Sequence, residues 1–169
     1  MTMRLEGRAR RFGDDVNTDY IISSTRKRET IDEAQLKRYL LETVDPAFAA
    51  SVRPNDLLVA GRNFGCGSAM ETAVTVILAA GFRAVVATSF ARTFYRNAIN
   101  NGLLPIECDT SSIAEGDSLL IRLDGAGAEV TNATRGSKAT GAALPKTMLA
   151  ILEAGGLVPY LREHGSLGT

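Results

Sequence analysis

The stretch Gly61-Arg62-Asn63-Phe64-Gly65-Cys66-Gly67-Ser68 constrains this chain more than any other part of it. An apolar segment, Leu57-Leu58-Val59-Ala60, leads into it, and a helical pattern from about Ala69 to Ala80 leads out. A strand therefore delivers the chain into a turn that holds three glycines in seven positions, and a helix carries it away. Glycines open backbone angles closed to other residues and let main-chain N–H groups approach a ligand closely. Ser68 then falls at or beside the helix N-cap, where free N–H groups and the positive end of the dipole favour an anion or an alkoxide. Two readings follow: an anion site with one hydroxyl in it, or a tight strand-to-helix turn whose glycines are structural and whose serine is a cap.

General motifs of similar appearance fail here. Gly65-Cys66-Gly67-Ser68-Ala69-Met70 lacks the last glycine of a dinucleotide fingerprint, no lysine completes a P-loop, and Ser68 is not centred between glycines as a nucleophile elbow requires. Composition narrows the field further. At 169 residues, with 45% hydrophobic and 22% charged, the chain is expected to form a single globular domain over 1–169. Nineteen basic residues balance nineteen acidic ones, so overall charge argues for neither nucleic acid nor a membrane surface. A signal-peptide core and a run of about 20 apolar residues are both missing, from which a cytoplasmic location is expected. Two cysteines, Cys66 and Cys108, and one histidine, His164, cannot assemble a four-ligand zinc or iron–sulfur site within one chain.

Taken in order, residues 3 to 12 read as a strand rich in arginine (Arg4, Arg8, Arg10, Arg11), as an edge strand can be. Gly13-Asp14-Asp15-Val16-Asn17-Thr18-Asp19 is a turn-forming cluster, and Tyr20-Ile21-Ile22 a short strand. The polar run Ser23-Ser24-Thr25-Arg26-Lys27-Arg28-Glu29 is a solvated loop, or one that carries guanidinium groups to a carboxylate substrate. Thr30 and Glu33 form a capping box that opens a helix to about Thr43, with Leu36, Tyr39 and Leu40 on one side. After the central turn, Val74, Ile77 and Leu78 stripe the helix that Gly81 stops, and Ala84-Val85-Val86-Ala87 is a strand covered on both faces. Ser89 caps a second helix with Phe90, Phe94 and Ile99 inward and Gly102 at its end, before a strand at 103–106. This alternation predicts an α/β core. Asp124-Gly125 turns a peripheral β-hairpin between 118–123 and 129–131. Pro145 at the first helical position starts a last helix through Glu153, ended by Gly155-Gly156, and the tail from Arg162 with His164 is expected to be mobile.

With those residues laid out, the chain resembles the small subunits of 3-isopropylmalate dehydratases, the swivel-domain components of the aconitase superfamily. Four segments carry the resemblance in order: 13–19 with Ile21-Ile22; Gly61 to Ser68; Gly81-Phe82-Arg83-Ala84-Val85; and Ser89-Phe90-Ala91-Arg92-Thr93-Phe94-Tyr95-Arg96-Asn97 running on to Asn101-Gly102-Leu103-Leu104-Pro105-Ile106. The resemblance implies a swivelling β/β/α domain that docks on a large subunit holding a [4Fe–4S] cluster. The family dehydrates a small hydroxy-dicarboxylate and rehydrates it at the neighbouring carbon. By position, Ser68 matches the serine that acts as an alkoxide base, and Asp19 an active-site aspartate. Arg28, with Arg26, falls in the loop that reads the variable side chain of the substrate, and Gly67, Ala69 and Met70 lie in the substrate-binding turn.

One departure stands out. The family commonly continues the turn as Gly-Ser-Ser-Arg-Glu, whereas this chain reads Gly67-Ser68-Ala69-Met70-Glu71, with Met70 where an arginine would grip a carboxylate. Arg26, Lys27 or Arg28 takes over that contact, or the substrate presents an apolar group to Met70, or the reaction has been lost. Isopropylmalate is the expected substrate; homoaconitate, dimethylmalate and methylmalate or citraconate are alternatives, as is a non-catalytic anion-binding module. Cys66 is either a small structural residue or a redox-sensitive thiol, and Glu71 either stabilises the first helical turn or belongs to the site.

Overall fold

A computed structural model describes residues 2–167. Seven strands form one sheet in the order β4-β3-β2-β1-β5-β6-β7. They are β1 (Met3–Arg11), β2 (Leu57–Ala60), β3 (Ala84–Ala87), β4 (Leu104–Glu107), β5 (Ser118–Asp124), β6 (Gly127–Asn132) and β7 (Ser137–Gly141). β1 joins two halves of different character. Its first residues pair antiparallel with β5, from Met3 opposite Leu123 to Arg8 opposite Ser118. Its last residues pair parallel with β2, Ala9 opposite Leu57 and Arg11 opposite Val59. Pro105, which cannot donate to a ladder, is tolerated because β4 is an edge strand.

In the parallel half the short apolar runs are buried throughout, because helices cover both faces. Side chains alternate across a strand. Leu58, Ala60, Val85 and Ala87 accordingly pack with Ala73, Val74, Val76 and Ile77 of helix α5 (Glu71–Ala79). Leu57, Val59, Ala84 and Val86 face the other way, toward Ile99 of α6 (Arg92–Asn101), Ile151 and Leu152 of α7 (Lys146–Ala154) and Tyr160 of α8 (Leu157–His164). The predicted hairpin forms as β5 and β6, and β7 extends it. The sheet curls enough for Pro105, Ile106 and Glu107 of β4 and Gly141 of β7 to line one cavity.

Several local expectations are corrected. β1 lies at the centre of the sheet, not at an edge, and two of its arginines, Arg8 and Arg10, meet one buried carboxylate. Asp56 is only 3% exposed and accepts from Arg8 Nη2 at 2.8 Å and Arg10 Nη1 at 3.2 Å. Arg10 also bonds Glu115 and Ser51, and its guanidinium lies 4.6 Å from the Phe48 ring centroid. Residues 20–22 do not form a strand. Asn17 caps a short helix α1 (Thr18–Ile21) by accepting from the Tyr20 N–H, which turns Ile21 and Ile22 into the core.

Residues 23–29 are not an open loop either. Ser23 caps helix α2 (Ser24–Glu29), and the three cations sit in its last turn, where they complement the dipole. The predicted helix from Thr30 is broken up into α3 (Glu33–Leu36) and a 3-10 turn (Lys37–Tyr39), followed by Leu41 at φ 56°, which lets Leu40 and Leu41 both enter the core. Asp32 takes the N-cap, while the Thr30 hydroxyl accepts from the Asp32 N–H. A further short helix, α4 (Phe48–Ser51), presents Phe48 to the core. Ser89 does not cap α6, whose N-cap is Ala91; its hydroxyl accepts from the Asn63 N–H instead. The chain beyond Gly156 is ordered as α8, where the His164 ring stacks on Tyr160 at 4.3 Å. No described helix is long and apolar enough to cross a membrane.

Candidate functional site

The glycine turn is held by the acidic segment before it, residue against residue. The Gly61 N–H donates to the Gly13 carbonyl, and the Arg62 N–H to Asp14 Oδ1 at 2.7 Å. The Asp15 N–H returns to the Arg62 carbonyl, and Asn63 Nδ2 reaches Asp15 Oδ1. The Gly65 N–H then donates to the Val16 carbonyl, and the Thr18 N–H to the Cys66 carbonyl, both at 2.8 Å. Asp14 and Asp15 thus strap the turn, and the bond from the Arg62 N–H holds the Asp14 carboxyl below its ordinary range. Behind the turn, Phe64 packs edge-on to Phe94 (5.1 Å) and Phe90 (6.0 Å). Gly65 sits at φ +81° where a Cβ would come within 2.2 Å of the Phe94 ring, so no larger residue fits.

The strap ends by delivering Ser68. Gly67 turns the backbone at φ +92°, and the Thr18 hydroxyl donates to the Ser68 carbonyl at 2.8 Å. Helix α5 starts only at Glu71, with Met70 at its N-cap, so Ser68 lies two residues ahead of the cap rather than on it. Pinning the Ser68 carbonyl to Thr18 keeps residues 67–69 out of the helix. Two consequences follow. Ser68 is exposed and its hydroxyl has no partner among the described residues, while its backbone is fixed. Methionine cannot cap, so the first N–H groups of α5 lack a side-chain acceptor and keep their positive potential.

Helices α1 and α2 bring the other candidates to this place. Asp19 Oδ1 accepts from both the hydroxyl (2.9 Å) and the N–H (3.0 Å) of Ser24. These bonds, aided by the charge of Lys27, hold the Asp19 carboxyl below its usual range, so it is an anion at neutral pH and a poor proton acceptor. Lys27 Nζ lies against Met70 Sδ. The two neighbouring arginines are placed differently. Arg26 is bound by Glu42 (2.8 Å) and Glu29 (3.2 Å), with its guanidinium 3.9 Å from the Tyr39 ring centroid, so it is engaged away from the turn. Arg28 is exposed, without an ion pair among the described residues. Ala69 and Glu71 are exposed beside Ser68. Thr18 and Ser24, which fix Ser68 and Asp19, were not singled out from sequence; the Thr-Asp pair was a signal for the first, while the second is marked only by its place at the start of α2, five residues from Asp19.

An iron–sulfur cluster does not fit these residues. Cys66 is half-buried in the turn and Cys108 is buried beyond β4. Burial pushes both thiols up, that of Cys108 to about 11, the opposite of what thiolate ligands need. Among the described residues no three His, Cys, Asp or Glu side chains converge as a metal site.

A curled mixed sheet with a strapped, serine-bearing turn at the end of its second strand is a shared architecture, and the chain belongs to the family described as the Aconitase C-terminal domain, which matches residues 12–111. That span contains the strap, the turn, α1, α2 and strands β2, β3 and β4. Within the family it is 44% identical over 165 residues to the 3-isopropylmalate dehydratase small subunit 2 of Archaeoglobus fulgidus, covering 98% of this chain and 99% of the relative. The methanogen homoaconitase small subunit of Methanocaldococcus jannaschii is 46% identical over 163 residues, 96% of this chain and 94% of the relative. The crystal structure of 3-isopropylmalate dehydratase from the same organism superposes with a TM-score of 0.87 at 41% identity, over 96% of each chain. The family expected from the four sequence segments is therefore the one found, and its swivel fold is the fold observed.

Proposed function

We propose that this chain is the small subunit of an aconitase-type hydro-lyase that interconverts 3-isopropylmalate and 2-isopropylmalate, as in leucine biosynthesis, and is active only when docked on a large subunit. The single observation that carries this reading is the Ser68 hydroxyl: free and exposed, on a backbone fixed by Thr18, ahead of an uncapped helix. The nearly full-length similarity to proteins named 3-isopropylmalate dehydratase small subunits supports it.

The chemistry asks one thing of this chain above all. A proton on the carbon beside a carboxylate is removed while hydroxide leaves the neighbouring carbon, and water then adds back in the opposite sense. Ser68 as alkoxide takes that proton, the electron pair moves toward the carboxylate, and the resulting Ser68 hydroxyl returns the proton on rehydration. An alkoxide is ordinarily far too basic to form at neutral pH. Here the free N–H groups at the start of α5 and the Lys27 ammonium lower its cost, and both favour the extra negative charge that develops on the substrate. Asp19, already an anion, is assigned to the site as a fixed charge rather than as a base, with the Gly67 and Ala69 backbone assigned to substrate binding on either side of Ser68. The [4Fe–4S] cluster, which these residues do not fit, is assigned to the large subunit, and the departure of hydroxide to no residue of this chain.

A second reading keeps the mechanism and changes the substrate: the 46% identity to a homoaconitase small subunit, with an apolar Met70 in the turn, favours a different malate derivative. Anaerobic co-purification with a large subunit, followed by an ultraviolet assay for unsaturated acid from a panel of malate derivatives, tests both. Turnover of 3-isopropylmalate supports the first, turnover only of another malate the second. No turnover by an assembled, cluster-loaded complex would leave an anion-binding module.

A further inference from the structure

Three consecutive cations, Arg26, Lys27 and Arg28, stand on one six-residue helix, and the structure gives each a different fate. Arg26 is neutralised twice, by Glu42 and Glu29, and lies against Tyr39. Arg28 projects into solvent. Lys27 alone turns toward the start of α5, where its ammonium contacts the Met70 sulfur. A thioether is a weak acceptor, while an ammonium carries three donors and is strongly hydrated in water. No carboxylate lies within ion-pair distance of Lys27 among the described residues; the nearest influence is the ionised Asp19, which senses the Lys27 charge without bonding it. The ammonium is thus held at the start of α5, two residues along the chain from Ser68, with its hydrogen-bonding capacity largely unspent.

We infer that Lys27 is the substrate-carboxylate contact of this site, resting on Met70 in the absence of substrate and donating to a carboxylate of the hydroxy-acid when it binds. This deepens the functional reading given above and rests on it. Met70 takes part as an unbranched, deformable support that positions the ammonium over the turn. The assignment also explains how a turn without its arginine binds a dianion: the cation arrives from α2 instead of α5. Because an ammonium is a point charge without a bidentate fork, the contact is less selective for carboxylate geometry than an arginine would be.

The test uses the reconstituted complex. In Lys27→Met, KM for the dicarboxylate should rise by about tenfold or more with kcat changed far less, the pattern of lost uniform binding. Adding Met70→Arg to that variant should restore most of the affinity, a rescue that a merely structural lysine would not show. An unchanged KM in Lys27→Met, or a large loss in Arg28→Met with none in Lys27→Met, would overturn the inference. Failure of the functional reading is distinguished by a second measurement that needs no turnover. With the four lysines (Lys27, Lys37, Lys138, Lys146) isotopically methylated, malate should shift the Lys27 resonance saturably and leave the others in place. A Lys27 signal that does not respond, or that moves no more than the rest, contradicts the assignment even in a complex that turns nothing over.

Discussion

Two clusters of charge, one under the sheet and one at the glycine turn, have similar composition and opposite states. Under the sheet, Asp56 is held by Arg8, Arg10 and the Arg53 N–H, and Arg10 is completed by Glu115 and Ser51. Burial alone would push the Asp56 carboxyl up, but these bonds together outweigh it and hold it below its usual range. At the turn, Asp19 uses one oxygen on Ser24, Lys27 touches only a sulfur, and the Ser68 hydroxyl is unbonded. A charge with every valence filled maintains architecture. A charge held in place by its backbone but left unfilled is available to a ligand, and that separates the two clusters more clearly than residue type does.

The comparison can be broken from the structural side first. Asp56→Ala leaves the Arg10 guanidinium, 7% exposed, without its buried partner, and should lower unfolding free energy by roughly 3 kcal/mol in urea titration, with kcat per folded molecule in the complex unchanged. A loss under about 1 kcal/mol would mean that Glu115 and Ser51 suffice. Gly65→Ala should cost about 2–3 kcal/mol, from a Cβ driven into Phe94 and a positive φ that alanine resists. Unlike Asp56→Ala, it should also reduce turnover, because the same backbone carries Ser68. The smallest effect belongs to Arg26→Ala. Its ion pairs are open to solvent and screened, so a loss of stability too small to separate from none and no change in KM are expected. A rise in KM would place Arg26 with Lys27 in the site after all.

How much of this was legible in the sequence differs between the halves of the molecule. β2, β3 and β4 are short apolar runs punctuated by turns and Gly stops, and burial on both faces is what such runs signal. β7, Ser-Lys-Ala-Thr-Gly, has no apolar face to announce it and exists because β6 offers a ladder to its backbone. Tyr20-Ile21-Ile22 has strand propensity, but the Asn17 cap and the demand to bury Ile21 and Ile22 beside α5 make it helical. Gly155-Gly156 reads as the end of the last helix, yet both glycines adopt positive φ and redirect the chain into α8. At the candidate site, the glycine turn singles out Ser68, and the family resemblance points to Asp19. The choice among Arg26, Lys27 and Arg28 was not legible, since it depends on which side of a six-residue helix meets the turn, and three adjacent cations carry no periodicity to reveal that.

The central claim is that the fixed but unbonded hydroxyl of Ser68 is the reacting base. Its direct test is kcat of the Ser68→Ala complex, cluster-loaded and assembled as the wild type is. Removing an exposed hydroxyl whose only structural bond runs through its own carbonyl should leave unfolding free energy within about 0.5 kcal/mol and assembly intact. The same change should lower kcat by about a thousandfold, the scale of a lost general base. A complex that keeps kcat within about tenfold of wild type would contradict the account and return Ser68 to the ordinary role of a turn residue.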